Sequence, residues 1–241
     1  MSMRLRISTS VAVTCFLVLA CISVTPAQQQ AAPTKFDSYA DLPTDDEAAR
    51  LDAFAEALRN QSHLRGYLIG YNQTNVAPGV FLRRLYGDQR YLVEMRGLAS
   101  SRVVVIEGGY RERLTIELWL VPNDSTPPTP NPTSSPPANS GKRRLFDEEC
   151  LECSPAVNLD LYGLSDGLKF YAEALRKNPR ARGLIVVRPG QEIGARGTLA
   201  EARKAKRLLI REHRIDARRI TINVARRRRD NVATAEMWIL N

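Results

Sequence analysis

The chain has 241 residues, 44% hydrophobic and 25% charged, with a net charge of +9. This balance excludes a chain too polar to build a core, and the length allows one or two domains. Residues 34–122 carry 11 basic against 12 acidic groups, and residues 142–241 carry 22 against 13. The basic face therefore belongs to the second part, where it draws polyanions.

The first residues are expected to form a leader. Arg4 and Arg6 precede the apolar run Val11–Val24, and the small residues of Thr25-Pro-Ala27 stand before Gln28. That is the layout of a signal peptide over residues 1–27, cleaved after Ala27, with a run too short for a comfortable membrane span. Val18-Leu-Ala-Cys21 loosely matches a lipobox, so lipidation at Cys21 is the alternative. Residues 28–34 are polar and are expected to be disordered.

Lys35–Ala40 reads as a strand. Thr44-Asp-Asp-Glu47 has the pattern of a capping box, and Ala48, Leu51, Phe54, Ala55 and Leu58 follow at helical spacing. Gly66–Tyr71 is the next strand, Pro78-Gly79 a breaker, and Val80–Met95 a second helix stopped by Gly97. Arg102–Ile106 and the alternating Leu114–Val121 complete a β-α-β-α-β-β order.

Pro122–Gly141 holds seven prolines in twenty residues. Such a stretch favours extended polyproline with a reach of about 60 Å, predicting a disordered tether over 123–141 between two separate domains, 35–122 and 142–241. The pattern then returns. Ala55–Tyr71, AEALRNQSHLRGYLIGY, reappears 117 residues later as Ala172–Arg188, AEALRKNPRARGLIVVR. A repeat of this length is a duplicated domain, not a solenoid unit. Val157–Tyr162 takes the first-strand position, with Ser165 as helix cap. Leu168, Tyr171, Ala172 and Leu175 form the helical stripe. Gly183–Val187, Thr198–Glu212, Ile220–Val224 and Val232–Leu240 follow. The fold class is α+β: two sandwiches, each a mixed sheet with helices on one face.

These residues resemble the OmpA-like domain, the module at the C-terminal end of OmpA, peptidoglycan-associated lipoproteins and MotB. The resemblance rests on element order, on the first helix, and on Arg90-Tyr-Leu-Val with Gly97-Leu98 before a strand. Gly108-Gly-Tyr-Arg-Glu112 and Ile116-Glu-Leu-Trp-Leu-Val-Pro122 bring it closest to a group of exported bacterial proteins. It implies two OmpA-like domains in tandem, the second more divergent. In the family, an aspartate after the second strand and an arginine of the second helix grip the diaminopimelate of peptidoglycan. Arg84 falls at the arginine position, and the uncharged Asn72 or Gln73 at the aspartate position. In the second copy Arg188-Pro189 follows the strand, and Glu201 falls near the arginine position. Neither copy holds the intact pair.

The implied function is a non-catalytic, exported cell-envelope binding or structural protein, associating with peptidoglycan or another anionic envelope polymer. The alternative is a periplasmic or secreted scaffold for envelope proteins that binds no peptidoglycan. A second alternative is a thiol redox protein acting through Cys150 and Cys153, for which the competing reading is a local disulfide favoured by export. Arg226, Arg227, Arg228 and Arg229, with Arg218 and Arg219, are read either as a solvated turn or as an anion-binding tip. Trp119 and Trp238 each stand two residues after a glutamate, on the strand face opposite the core. They are expected to pack on long side chains beside solvated glutamates, with a partner surface as the alternative. The sequence has no HExxH, P-loop or dinucleotide turn, so no enzyme, cofactor or metal is expected. Nucleic acid is not an expected partner, and membrane contact is expected only through the leader or a lipid anchor.

Overall fold

The computed structural model describes residues 32–137, 141–153 and 164–241. The expected leader, residues 1–27, and the strand expected over Val157–Tyr162 lie outside them, as does the Ser165 side chain. The first half runs β1 (Thr34–Tyr39), α1 (Thr44–Asn60), β2 (Leu64–Gln73), α2 (Pro78–Arg90), β3 (Val103–Arg111) and β4 (Thr115–Pro122). The second runs β5 (Arg143–Cys150), α3 (Leu164–Lys177), β6 (Arg182–Arg188), α4 (Ala195–Arg211), β7 (Ile220–Val224) and β8 (Thr234–Leu240). Each half forms a four-stranded mixed sheet, ordered β1-β4-β2-β3 and β5-β8-β6-β7. β2 and β6 each pair parallel to the edge strand beside them, β3 and β7, and antiparallel to the other neighbour, β4 and β8.

Helical spacing puts Leu51, Phe54, Ala55 and Leu58 of α1 on one buried stripe. They pack with Leu68, Phe81, Leu85, Ile116 and Leu118 in one core. The second core is built likewise around Leu168, Tyr171, Leu175, Ile185, Leu209 and Met237. β2 accepts its helices closely because Gly66 and Gly70 present no side chain where Leu58, Phe54, Leu85 and Phe81 press against the sheet.

The duplication reaches single hydrogen bonds. Arg102 donates to the carbonyls of Leu58, Gln61 and Leu64, fastening the end of α1 to the start of β2. Arg219 does the same 117 residues on, donating to Leu175, Asn178 and Ala181. Helix carbonyls left without partners at a C-terminus are thereby satisfied. After the second helix, Gly97 has φ 69° and Arg214 φ 56° at the matching turn, so an arginine there bears a conformation glycine adopts freely.

Four expectations change. The capping box does not form: Pro43 precedes α1 without a side-chain cap, and Glu47 turns to Arg84 instead. The helix expected over Val80–Met95 is α2 followed by a π-helical turn at Tyr91–Met95. The first strand of the second sheet is Arg143–Cys150, earlier than the Val157–Tyr162 expected, so Cys150 ends a strand. The tether, over residues 123–137, lies against the first sheet. Asn131 N–H donates to Tyr71 Oη at 3.1 Å, and Thr133 and Ser134 N–H groups donate to Tyr110 O at 3.0 Å. Pro128 is buried.

The two halves are also in contact, as parts of one compact unit. Leu82 of α2 packs against both cores, and Tyr86 meets Phe170 of α3 with ring centroids 5.0 Å apart. Arg83 completes the junction with ion pairs to Asp147 and Glu149 of β5, both at 2.8 Å.

Candidate functional site

At the end of β2, Asn72 is buried and its amide is spent locally. Its Oδ1 accepts from Gln73 N–H at 2.8 Å and its Nδ2 donates to Val76 O at 3.3 Å. Both bonds brace the turn into α2. Arg84, on the first turns of α2, pairs through Nε with Glu47 Oε1 at 2.9 Å and through Nη1 with Asp41. Burial opposes the Arg84 cation, but Glu47 and Asp41 outweigh that and raise its pKa. Burial raises the pKa of Glu47 more than Arg84 lowers it. Arg84 Nη2 is buried without a hydrogen-bond partner, while Asp41 is 86% exposed. The arginine is therefore committed on two sides and unsatisfied on a third, buried one.

The arginine run divides by role. Arg228 bridges Glu148 at 2.7 Å and Glu236 at 2.6 Å, and Arg227 donates to Gly190 O. Arg219 is the carbonyl staple already described. Arg218, Arg226, Arg227 and Arg229 are exposed. The candidate tip is thus half structural, with its outward charge on the exposed members.

The glutamates beside the tryptophans are buried, not solvated. Glu117 accepts from Lys35 at 2.7 Å, Arg111 at 3.0 Å and Trp119 Nε1 at 3.0 Å, with Tyr71 Oη at 3.5 Å. Glu236 accepts from Arg228, from Arg188 at 3.0 Å and from Trp238 Nε1 at 2.8 Å. Arg188 stands where the first half has Tyr71, so the duplicated node keeps its glutamate and tryptophan and exchanges a hydroxyl for a guanidinium. Burial acts to raise both carboxyl pKa values, but the donors prevail and hold them below the usual range.

Cys150 and Cys153 form a disulfide. Between them, Glu152 extends its carboxylate into a ring of backbone amides of the β6–α4 loop and Ala233. Among the described residues no group of three or more His, Cys, Asp or Glu is placed to hold a metal ion.

A cleft of about 270 Å³ opens between the halves, lined by Thr74, Asn75, Tyr110, Arg143, Arg144 and Asn241 among others. Its lining includes neither Arg84 nor Asn72, so the positions given by the resemblance do not share it. Sequence reasoning missed three features: the Asp41–Glu47 clamp on Arg84, the Arg83–Asp147 junction, and the amide ring around Glu152. Glu47 carried a signal, since it stands four residues before Leu51 and seven before Phe54, on the apolar stripe of α1. Asp147 and Glu152 lie among charges that read as solvated. No protein-family model matches the sequence, and no curated protein matches it.

Proposed function

We propose that the chain is a non-catalytic, exported cell-envelope scaffold made of two OmpA-like domains packed side by side. Arg84 serves the fold, and anionic envelope polymers are met through the exposed arginines of the second half. The matching element order and sheet order of the two halves support the resemblance. The observation that carries the reading is the pairing of Arg84 with Glu47 and Asp41. An incoming diaminopimelate carboxylate would compete with two carboxylates already in place, and Asn72 offers no charge for the ammonium. Arg218, Arg226 and Arg229 provide an attraction of the long-range, salt-screened kind.

One observation favours a second reading, peptidoglycan binding at Arg84. Its Nη2 is an unsatisfied buried donor, and the exposed Asp41 is free to rotate away from the guanidinium. Co-sedimentation with diaminopimelate-type peptidoglycan at low and high salt separates the two. Pelleting that salt abolishes and Arg84→Ala spares supports the scaffold. Salt-resistant pelleting that Arg84→Ala removes supports the second reading.

A further inference from the structure

Glu152 lies inside the four-residue loop closed by Cys150 and Cys153. Its Oε1 accepts from Ala233 N–H at 2.9 Å and Gln191 N–H at 3.2 Å. Its Oε2 accepts from Ile193 N–H at 2.9 Å and Glu192 N–H at 3.0 Å. One carboxylate thus joins three segments: the end of β5, the β6–α4 loop and the residue leading into β8. Leu151 N–H, donating to Ala233 O at 2.8 Å, reinforces the join. Gly190 is needed because a Cβ there would overlap Glu152 Oε1 and Ala233 N.

The disulfide closes too short a loop to constrain the unfolded chain strongly, so its main consequence is local. Cys153 is exposed, and its N–H donates to Cys150 Sγ at 2.9 Å, where it stabilises negative charge arriving on that sulfur.

We propose that the Cys150–Cys153 disulfide is a redox latch: oxidised, it holds Glu152 in its amide ring and the β6–α4 loop against β8, and reduced, it releases both. The reductant is a dithiol. Its thiolate attacks the exposed Cys153 Sγ, the S–S bond breaks, and its electron pair leaves on Cys150 Sγ, which takes up a proton. The reductant's second thiol, as thiolate, then displaces Cys153 Sγ from the mixed disulfide, closing the reductant's own disulfide. Cys153 Sγ takes the second proton. The protein gains two electrons and two protons, and the dithiol loses them. The core of the second half contains neither cysteine, so the opening is confined to the loop.

Amide-resolved hydrogen exchange on the exported protein, with and without dithiothreitol, tests this. On reduction, the amides of Glu192, Ile193 and Ala233 should exchange at least about tenfold faster, while β6 and the centre of β8 keep their rates. Cys150→Ser/Cys153→Ser should show the fast rates without reductant and no further response to it. Glu152→Gln, similar in size but uncharged, should speed the same amides in the oxidised protein. Unchanged protection in the reduced protein or in either variant would overturn the latch. Acceleration spread equally over β6 and β8 would overturn it too, by making the bridge a general staple.

Discussion

Arg83 and Asp147 form a two-point ion pair across the boundary between the two halves, Nε to Oδ2 at 3.1 Å and Nη2 to Oδ1 at 2.8 Å. Asp147 is fully buried, at a β-bulge of β5, and the same guanidinium reaches Glu148 O and Glu149. Burial raises the Asp147 pKa, with Arg83 acting against it. Removing the cation leaves a buried charge unpaired. Arg83→Ala should therefore cost about 3–5 kcal/mol by urea denaturation. The parent chain should unfold in one transition, and Arg83→Ala should split it into two as the halves uncouple. A loss under about 1 kcal/mol would place the junction's strength in Leu82, Tyr86 and Phe170 instead.

Acid should weaken the protein through Glu117 and Glu236. Each is more acidic folded than unfolded, so each contributes stability above its unfolded pKa of about 4.3 and loses it as pH falls through the lower folded value. Asp147 and Glu47 act in the opposite sense. Their folded pKa values are raised, so their contribution falls as pH rises from about 4. Melting temperatures between pH 3 and 6 should drop on the acid side, and Glu117→Gln should flatten that drop. An unchanged acid slope in Glu117→Gln would contradict the node's role.

The glycines of β2 set the distance between sheet and helices. A Cβ on Gly70 would stand 2.6 Å from Leu85 Cδ2 and 2.9 Å from Phe81 Cζ. Gly70→Ala should cost about 1–3 kcal/mol by overpacking. Gly194, with nothing within 4 Å and φ −70°, is the steric control, and Gly194→Ala, which alters only the N-cap of α4, should cost no more than about 1 kcal/mol.

The duplicated staple separates structural arginines from surface ones. Arg219→Ala strips carbonyls of α3 and the turn before β6 of their donor, and should cost about 1.5–3 kcal/mol. Arg226→Ala, on an exposed residue, should change stability by less than about 0.5 kcal/mol. Thermal melts of the two variants measure the contrast.

Much of the architecture was legible because apolar spacing and the 117-residue offset carry it. The Leu51–Leu58 stripe and its echo at Leu168–Leu175 mark the first helix of each half, and Arg-Gly at 65–66 and 182–183 marks the strand after it. The first strand of the second half was hidden because Arg143-Arg-Leu-Phe-Asp-Glu-Glu-Cys150 carries charge where a half-buried strand usually alternates. Those charges find partners in tertiary contacts, Asp147 with Arg83 and Glu148 with Arg228, which local pattern does not show. The capping box failed for a similar reason: Glu47 has a stronger partner in Arg84 than in its own backbone. Prolines at 127–137 read as a tether because nothing in their sequence names the Tyr71 hydroxyl and Tyr110 carbonyl on which the segment rests. The candidate site was legible in position only, since Arg84 was found but its two acidic partners were not.

The measurement closest to the central claim is co-sedimentation of residues 28–241 with diaminopimelate-type peptidoglycan at low and high salt. Arg84→Ala and Arg226→Ala/Arg229→Ala are run beside it. The account predicts pelleting at low salt that high salt abolishes, reduced by the double substitution and unchanged by Arg84→Ala. Salt-resistant pelleting that Arg84→Ala removes and the double substitution spares would contradict it.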